Sequence, residues 1–209
     1  MNYSPTVTNN PHASHPHIKL GRNFYLRPTL DIAHDLIGKY LVYKKNLNLL
    51  SARLVEVEAY IGEEDPACHA AVGKTKRNAI MYGPGGFSYV YFIYGMYYCL
   101  NVVTEDENSP AAVLIRAAEP LDGIEIMRKR FAHNPHNLLT NGPAKLCKAF
   151  GLTREHNGLD LVGETLYLED RGYKPSKIMQ SNRIGIKKGV DKKWRFFETA
   201  SAYVSRKVK

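Results

Sequence analysis

Only three cysteines occur in the 209 residues, Cys68, Cys99 and Cys147, and no two of them share a C-x-x-C spacing. A disulfide framework is therefore excluded, and neither a zinc ribbon nor a thiol redox motif is present. No metal or other cofactor is expected. A reducing, intracellular setting is expected instead: cytoplasm or nucleoid in a bacterial cell, the nucleus otherwise. An apolar leader is missing too. Residues 1–20 hold Asn, Pro, Ser and the three histidines His12, His15 and His17. They lack the hydrophobic stretch of a secretory signal and read as a flexible polar tail ahead of one folded unit over residues 21–209. There is no G-x-G-x-x-G and no strict alternation of strand and helix, which argues against a parallel nucleotide-binding sheet.

Acid is also scarce. Asp plus Glu number 20 against 29 Lys plus Arg, a net charge of +9, which favours a polyanionic partner such as nucleic acid, although an anionic membrane surface also fits the charge. Between Arg77 and Glu105 no residue carries a formal charge, a run long enough to be weighed as a membrane span. Gly83, Pro84, Gly85 and Gly86 and the hydroxyls of Tyr89, Tyr91, Tyr94, Tyr97 and Tyr98 rule against it, because polar groups are costly in hydrocarbon. Strands account for it better. F-S-Y-V-Y-F-I-Y and Y-Y-C-L-N-V-V are rich in aromatic and β-branched residues, and Tyr94-Gly95-Met96 can turn the chain between them.

Elsewhere Thr29 can cap a short helix carrying Leu30, Ala33, Leu36 and Ile37, and Gly38 ends it. Strands are predicted at Tyr40 to Tyr43 and Arg53 to Tyr60. Pro120 precedes a helix with Ile124, Met127 and Phe131 at helical spacing, and Asn141 with Pro143 opens another that closes near Gly151. Glu105 to Pro110 reads as an exposed acidic loop, and the final third as short strands. The sum is an α+β single domain: a mainly antiparallel, curved sheet flanked by short helices, with a protruding aromatic β-hairpin.

In R-L-V-E-V-E-A-Y, period-two alternation puts Val55, Val57 and Ala59 on one face and Glu56, Glu58 and Tyr60 on the other. The plainest reading is a polar sheet face toward solvent. Its neighbours point elsewhere: His69, the basic K-T-K-R-N of Lys74 to Asn78 and the aromatic hairpin combine charge and stacking surface with a carboxylate, as a nucleic-acid site requires. A helix N-terminus at Asn141-Gly142-Pro143 with Lys145 beside it is either a simple cap or a phosphate site.

These residues resemble the alkyladenine (methylpurine) DNA glycosylases. The resemblance is carried by V-E-V-E-A-Y-I-G-E-E-D-P-A-C-H (Val55 to His69), T-K-R-N (Thr75 to Asn78), Y-V-Y-F-I-Y-G-M-Y-Y-C-L-N (Tyr89 to Asn101), V-L-I-R-A-A-E-P (Val113 to Pro120) and N-G-P-A-K-L-C (Asn141 to Cys147). It begins near Leu30 and continues more loosely through S-N-R-I-G-I and W-R-F-F toward Val204. Two departures stand out: Lys76 replaces a proline of some members, and Cys68 precedes the histidine.

The resemblance implies a monofunctional 3-methyladenine DNA glycosylase acting on damaged purines in double-stranded DNA. Its substrates would be alkylated or deaminated purines (3-methyladenine, 7-methylguanine, hypoxanthine, ethenoadenine). No membrane partner is expected, and a monomer suits scanning. By the same resemblance Glu58 activates water and Arg116 positions it. Tyr60, His69 and Tyr91 stack around the extruded base, Asn101 crowds the amine of guanine, and Tyr94 is the wedge left in the duplex. Thr75, Arg77, Asn78 and Lys145 are the backbone contacts. A non-catalytic module binding single-stranded nucleic acid on a basic, aromatic sheet is the alternative, and it has no need of Glu58. A carbohydrate hydrolase leaves the positive charge unexplained and usually wants two opposed acids.

A geometric demand follows. If Tyr91 and Asn101 share a pocket, the hairpin needs a three-residue loop or a bulge, pairing Tyr91 with Cys99 and Tyr89 with Asn101. A two-residue turn puts them on opposite faces.

Overall fold

The sheet is built outward from one long strand. In the computed structural model, which describes residues 16–131 and 139–206, β3 (Asn48–Ile61) runs for 14 residues. It pairs along one edge with β6 (Ala111–Pro120), and along the other with β2 (Tyr40–Lys45) and then β9 (Arg195–Glu198). Outside β6 lie β5 (Tyr97–Val103) and β4 (Ser88–Ile93). Outside β2 come β7 (Leu166–Asp170) and β1 (Ile18–Lys19), and β8 (Ile178–Ser181) pairs with β9. Every pairing between these strands is antiparallel. The helices are short: α1 (Arg22–Tyr25), α2 (Thr29–Leu36), α3 (Ile124–Lys129) and α4 (Pro143–Phe150). This is the expected α+β architecture. None of the described helices is long and apolar enough to cross a membrane.

The main core lies between one face of the sheet and helices α2 and α4, where Ile32, Leu36, Leu54, Val57, Ile115, Leu146 and Phe150 are buried together. Each such aliphatic or aromatic side chain contributes about 1.5–3 kcal/mol. The helix at Asn141-Gly142-Pro143 forms as expected, with Pro143 in its first turn and left-handed Gly151 as its C-cap. At α2 the expectation fails in detail. Pro28 occupies the N-cap and Thr29 is the first helical residue. The Glu105 carboxylate instead accepts from the Thr29 amide at 3.1 Å, so an acid from the supposed loop faces the positive end of the helix.

Two further expectations are revised. Ile18 and Lys19, assigned to the tail, pair with Asp170 and Glu169, so the sheet begins before residue 20, while residues 1–15 with His12 and His15 lie outside the described residues. The simple alternation in β3 is also broken. Leu54 pairs with Ala118, Glu56 with Ala117 and Val57 with Ile115, which leaves Val55 as an extra residue on β3 and Arg116 as one on β6. These paired bulges turn Val55 away from Val57 and Ala59, to pack with Ala117, Phe197 and Val204. Arg116, two residues after the Leu114 that pairs with Glu58, lies on the face that carries Glu56 and Glu58.

Candidate active site

The hairpin of β4 and β5 turns through three residues. Tyr91 pairs with Cys99 and Tyr89 with Asn101, as the shared-pocket argument demands. Tyr94 and Gly95 adopt left-handed φ of 53° and 69°, a conformation that costs a tyrosine more than a glycine. The Tyr94 side chain is 79% exposed at the tip. At the hairpin base Gly85 lies so close to α1 that a Cβ there would stand 2.3 Å from the Tyr25 carbonyl oxygen.

Beside the hairpin opens a cavity of about 470 Å³, lined mainly by aromatic and apolar groups. Tyr60, His69, Tyr89 and Tyr91 form its walls, Asn101 and Arg116 contribute polar groups, and Tyr94 stands at its edge. Its size suits a purine, and its few polar groups suit orientation. Ala144 at the start of α4 and Ile184 to Ile186 also line it.

Glu58 lies behind three of these residues, fully buried. Its Oε2 accepts from the Tyr60 hydroxyl at 2.9 Å and from Arg116 Nη1 at 3.2 Å, and its Oε1 accepts from the Ile184 amide at 2.6 Å. Tyr60, Arg116 and Ile184 all border the cavity. Arg116 is also bound through Nε to Glu56 at 3.1 Å, and its Nη1 lies 3.5 Å from the Ile184 carbonyl oxygen. Loss of solvent pushes the Glu58 carboxyl above the usual carboxylate range, against the pull of Arg116, the Ile184 amide and Tyr60. Desolvation wins because the nearest cation is shared with a second carboxylate.

Glu56 is no solvated partner of Glu58. It is fully buried and receives Arg195 Nε at 2.7 Å, the Ser205 hydroxyl at 2.8 Å and the Ser205 amide at 2.5 Å. The polar-face reading therefore fails: both acids point into a closed layer formed by β9, the chain around Ser205 and the 182–189 segment.

His69 Nδ1 is 2.7 Å from the Tyr89 hydroxyl, and its ring meets Tyr91 edge-on at 4.5 Å between centroids. Burial and the Arg77 charge lower its pKa to about 4, so it is neutral at pH 7. The Tyr60 and Tyr91 hydroxyls are held protonated, chiefly by burial. Asn101 is buried and donates to the Tyr89 carbonyl at 3.1 Å.

The expected backbone contacts divide. Arg77 is exposed with its guanidinium 5.1 Å from the Tyr91 ring centroid, and Thr75 is exposed beside it. Lys145 Nζ rests on Asn141 Oδ1 at 3.0 Å in the first turn of α4. Asn78 is different. It is 1% exposed, and its amide donates to the carbonyls of His69 and Gly73 and accepts from the Thr75 amide. Both its donors are spent inside the loop, so it braces the segment that carries His69 and is corrected from the list of phosphate contacts.

Sequence reasoning overlooked Ile184, Arg183, Asp65 and the pocket role of Tyr89. Asp65 and Arg183 lie within quoted motifs but carry no spacing signal, since their contact joins positions 118 residues apart.

Among the described residues no group of three or more His, Cys, Asp or Glu is gathered as a metal site. What is gathered is a cavity walled by aromatic rings, with the buried Glu58 carboxylate behind it. A family model described as methylpurine-DNA glycosylase matches residues 23–202. A relative from Alkaliphilus oremlandii named "Putative 3-methyladenine DNA glycosylase" is 47% identical over 203 residues, covering 91% of this chain and 100% of its own. One of the same name from Methanocella arvoryzae is 49% identical, covering 90% and 96%, and one from Rickettsia felis 48%, covering 87% and 94%. The chain belongs to the methylpurine-DNA glycosylase family, hydrolases of N-glycosyl bonds in alkylated DNA.

Proposed function

We propose that this protein excises alkylated or deaminated purines from double-stranded DNA by rotating the nucleotide out of the duplex and hydrolysing its N-glycosidic bond with a Glu58-activated water. The buried Glu58 beneath the aromatic cavity is the observation that carries this reading. A stacking platform for single strands has no use for a carboxylate held in a desolvated layer, where it costs stability.

The damaged base enters the slot between Tyr60, His69 and Tyr91. Stacking contributes roughly 1–3 kcal/mol per base, comparable with the few kcal/mol needed to extrude a weakly paired nucleotide, so poorly paired lesions are favoured. Tyr94 at the hairpin tip fills the gap left in the duplex. The exposed Arg77 and Thr75 and the half-buried Lys145 hold phosphates, in keeping with the net charge of +9.

Water is held where Glu58, Arg116 and the Ile184 carbonyl converge. As the bond between C1′ and the base nitrogen breaks, its electron pair leaves with the base and positive charge grows on the sugar, which the Glu58 carboxylate stabilises. The water oxygen bonds to C1′ and its proton passes to Glu58. A raised pKa makes Glu58 a better base for this transfer than an ordinary glutamate. A cationic methylpurine leaves as a neutral base and needs no general acid. Asn101, rigidly tied to the Tyr89 carbonyl, obstructs the exocyclic amine of guanine.

The test incubates the protein with duplex oligonucleotides bearing ethenoadenine, hypoxanthine or a methylated purine, followed by alkali to cleave abasic sites. Strand scission at the lesion is expected with alkali and not without it. No product on any substrate would refute the proposal.

A further inference from the structure

Asp65 and Arg183 form a second ion pair near the site, outside the cavity lining. Both side chains are fully buried, and the pairing is bidentate, Nη1 to Oδ2 at 2.5 Å and Nη2 to Oδ1 at 2.7 Å. Each partner is fastened further. Arg183 Nη1 donates to the Ala59 carbonyl at 2.9 Å, the carbonyl between Glu58 and Tyr60, and Nη2 donates to the Gly189 carbonyl at 3.3 Å. Its guanidinium also lies 4.6 Å from the Tyr60 ring centroid and 5.2 Å from that of Trp194. Asp65 accepts from the amides of Ala67, a cavity residue, and Ile61, the last residue of β3.

The pair thus joins three segments: the strand that carries Glu58, the 61–67 turn that leads to His69, and the 182–189 loop. The next residue after Arg183 is Ile184, whose amide donates to Glu58 Oε1 and whose carbonyl faces Arg116. We infer that the Asp65–Arg183 pair is a positioning clamp that sets the Ile184 backbone against the Glu58 carboxylate, fixing both the carboxylate and the carbonyl that helps hold water. The inference rests on the functional reading above and assigns to it residues that touch no substrate.

Stability alone explains the pair poorly. Arg183 Nε is buried and without a hydrogen-bond partner among the described residues, and a buried ion pair with an unmet donor is a weak source of folding energy compared with apolar packing. As a geometric device it is apt, because the planar fork fixes the arginine backbone in register with the strand.

Two variants test this. Arg183→Lys keeps the positive charge and loses the fork, and the double variant Asp65→Leu with Arg183→Met replaces both charges by apolar groups of similar size. For each, folding is checked by chemical denaturation, affinity is measured for an ethenoadenine duplex, and the single-turnover excision rate is followed against pH. The groups facing Glu58 are Arg116 from β6, Tyr60 and Glu56 from its own strand, Arg195 from β9 and Arg183 with the Ile184 amide from the loop. Loss of the amide bond raises the Glu58 pKa, so the acid limb of the rate profile moves to higher pH. In Arg183→Lys this shift occurs with the charge retained, which separates positioning from simple electrostatics.

Folded variants are expected to bind the duplex within a few-fold of wild type and to excise roughly 10–100-fold more slowly, with the acid limb displaced. Should the double variant fail to fold, Arg183→Lys decides. An unchanged rate and acid limb in a folded variant, beside an active and Glu58-dependent wild type, overturns the clamp alone. A wild type that excises nothing overturns the functional reading and the clamp with it.

Discussion

Arg116 Nη1 stands 3.2 Å from the Glu58 carboxylate, and the two share a face because Glu58 pairs with Leu114, two residues before Arg116 on the adjacent strand. Arg116 does not belong to Glu58 alone. Its Nε is anchored to Glu56, so one guanidinium spans both carboxylates of β3, and Glu56 holds in place the group that addresses Glu58.

Glu56→Gln is therefore expected to be strongly destabilising, by about 3–5 kcal/mol, because it leaves Arg116 and Arg195 buried without their full countercharge. Chemical denaturation checks this. A loss below 1 kcal/mol would show that the layer around Ser205 opens to water in solution.

The alternation of acids in V-E-V-E-A-Y was legible in the sequence, and so were the hairpin, helix α4 and the resemblance that singled out Glu58. Alternation could not reveal burial. It reports which residues share a face, and whether that face meets water depends on β9 and the Ser205 segment, more than 130 residues away in sequence. The paired bulges were equally hidden, since Val55 and Arg116 look regular in their own strands and become extra residues only when those strands pair. Asn78 shows the same limit from the opposite side. In T-K-R-N it resembles a phosphate ligand beside Arg77, yet its amide groups satisfy buried backbone, which a one-dimensional pattern does not disclose.

Stability should fall on acidification because of His69. Its folded pKa of about 4 lies below the ordinary value of 6.5, so the unfolded chain binds a proton that the folded one refuses. The stability is complete above pH 6.5 and is lost as pH falls toward 4, by about 2–3 kcal/mol for this partly exposed group. Burial lowers His156 as well, and it contributes in the same direction. Denaturation at pH 7 and pH 5 should show a smaller difference for His69→Gln than for wild type. An equal difference would contradict the assignment.

A neutral His69 is also a poor proton donor. Single-turnover excision of hypoxanthine should show no alkaline limb near pH 6.5, and its appearance there, removed by His69→Gln, would make His69 the general acid.

Tyr94→Ser should leave folding almost untouched, within about 0.5 kcal/mol, because the side chain is largely exposed at the loop tip. Its expected effect is weaker capture of the extruded nucleotide, read as reduced fluorescence of a base analogue placed at the lesion. A marked fall in thermal stability would mean that the tyrosine packs where the structure leaves it free.

Excision should fade on the acid side at a pH above the ordinary carboxylate range, since burial raises the Glu58 carboxyl and only its ionised form takes a proton from water. A limb at the value of an exposed glutamate would contradict the desolvated site.

The most direct test of the whole account is the single-turnover rate of Glu58→Gln on a lesion-bearing duplex, measured together with its affinity for that duplex. Excision is expected to fall by at least about a thousandfold, on the order expected when a group that acts as base and charge stabiliser is lost, while lesion binding stays within a few-fold of wild type. Excision at near wild-type rate by the folded variant would contradict it.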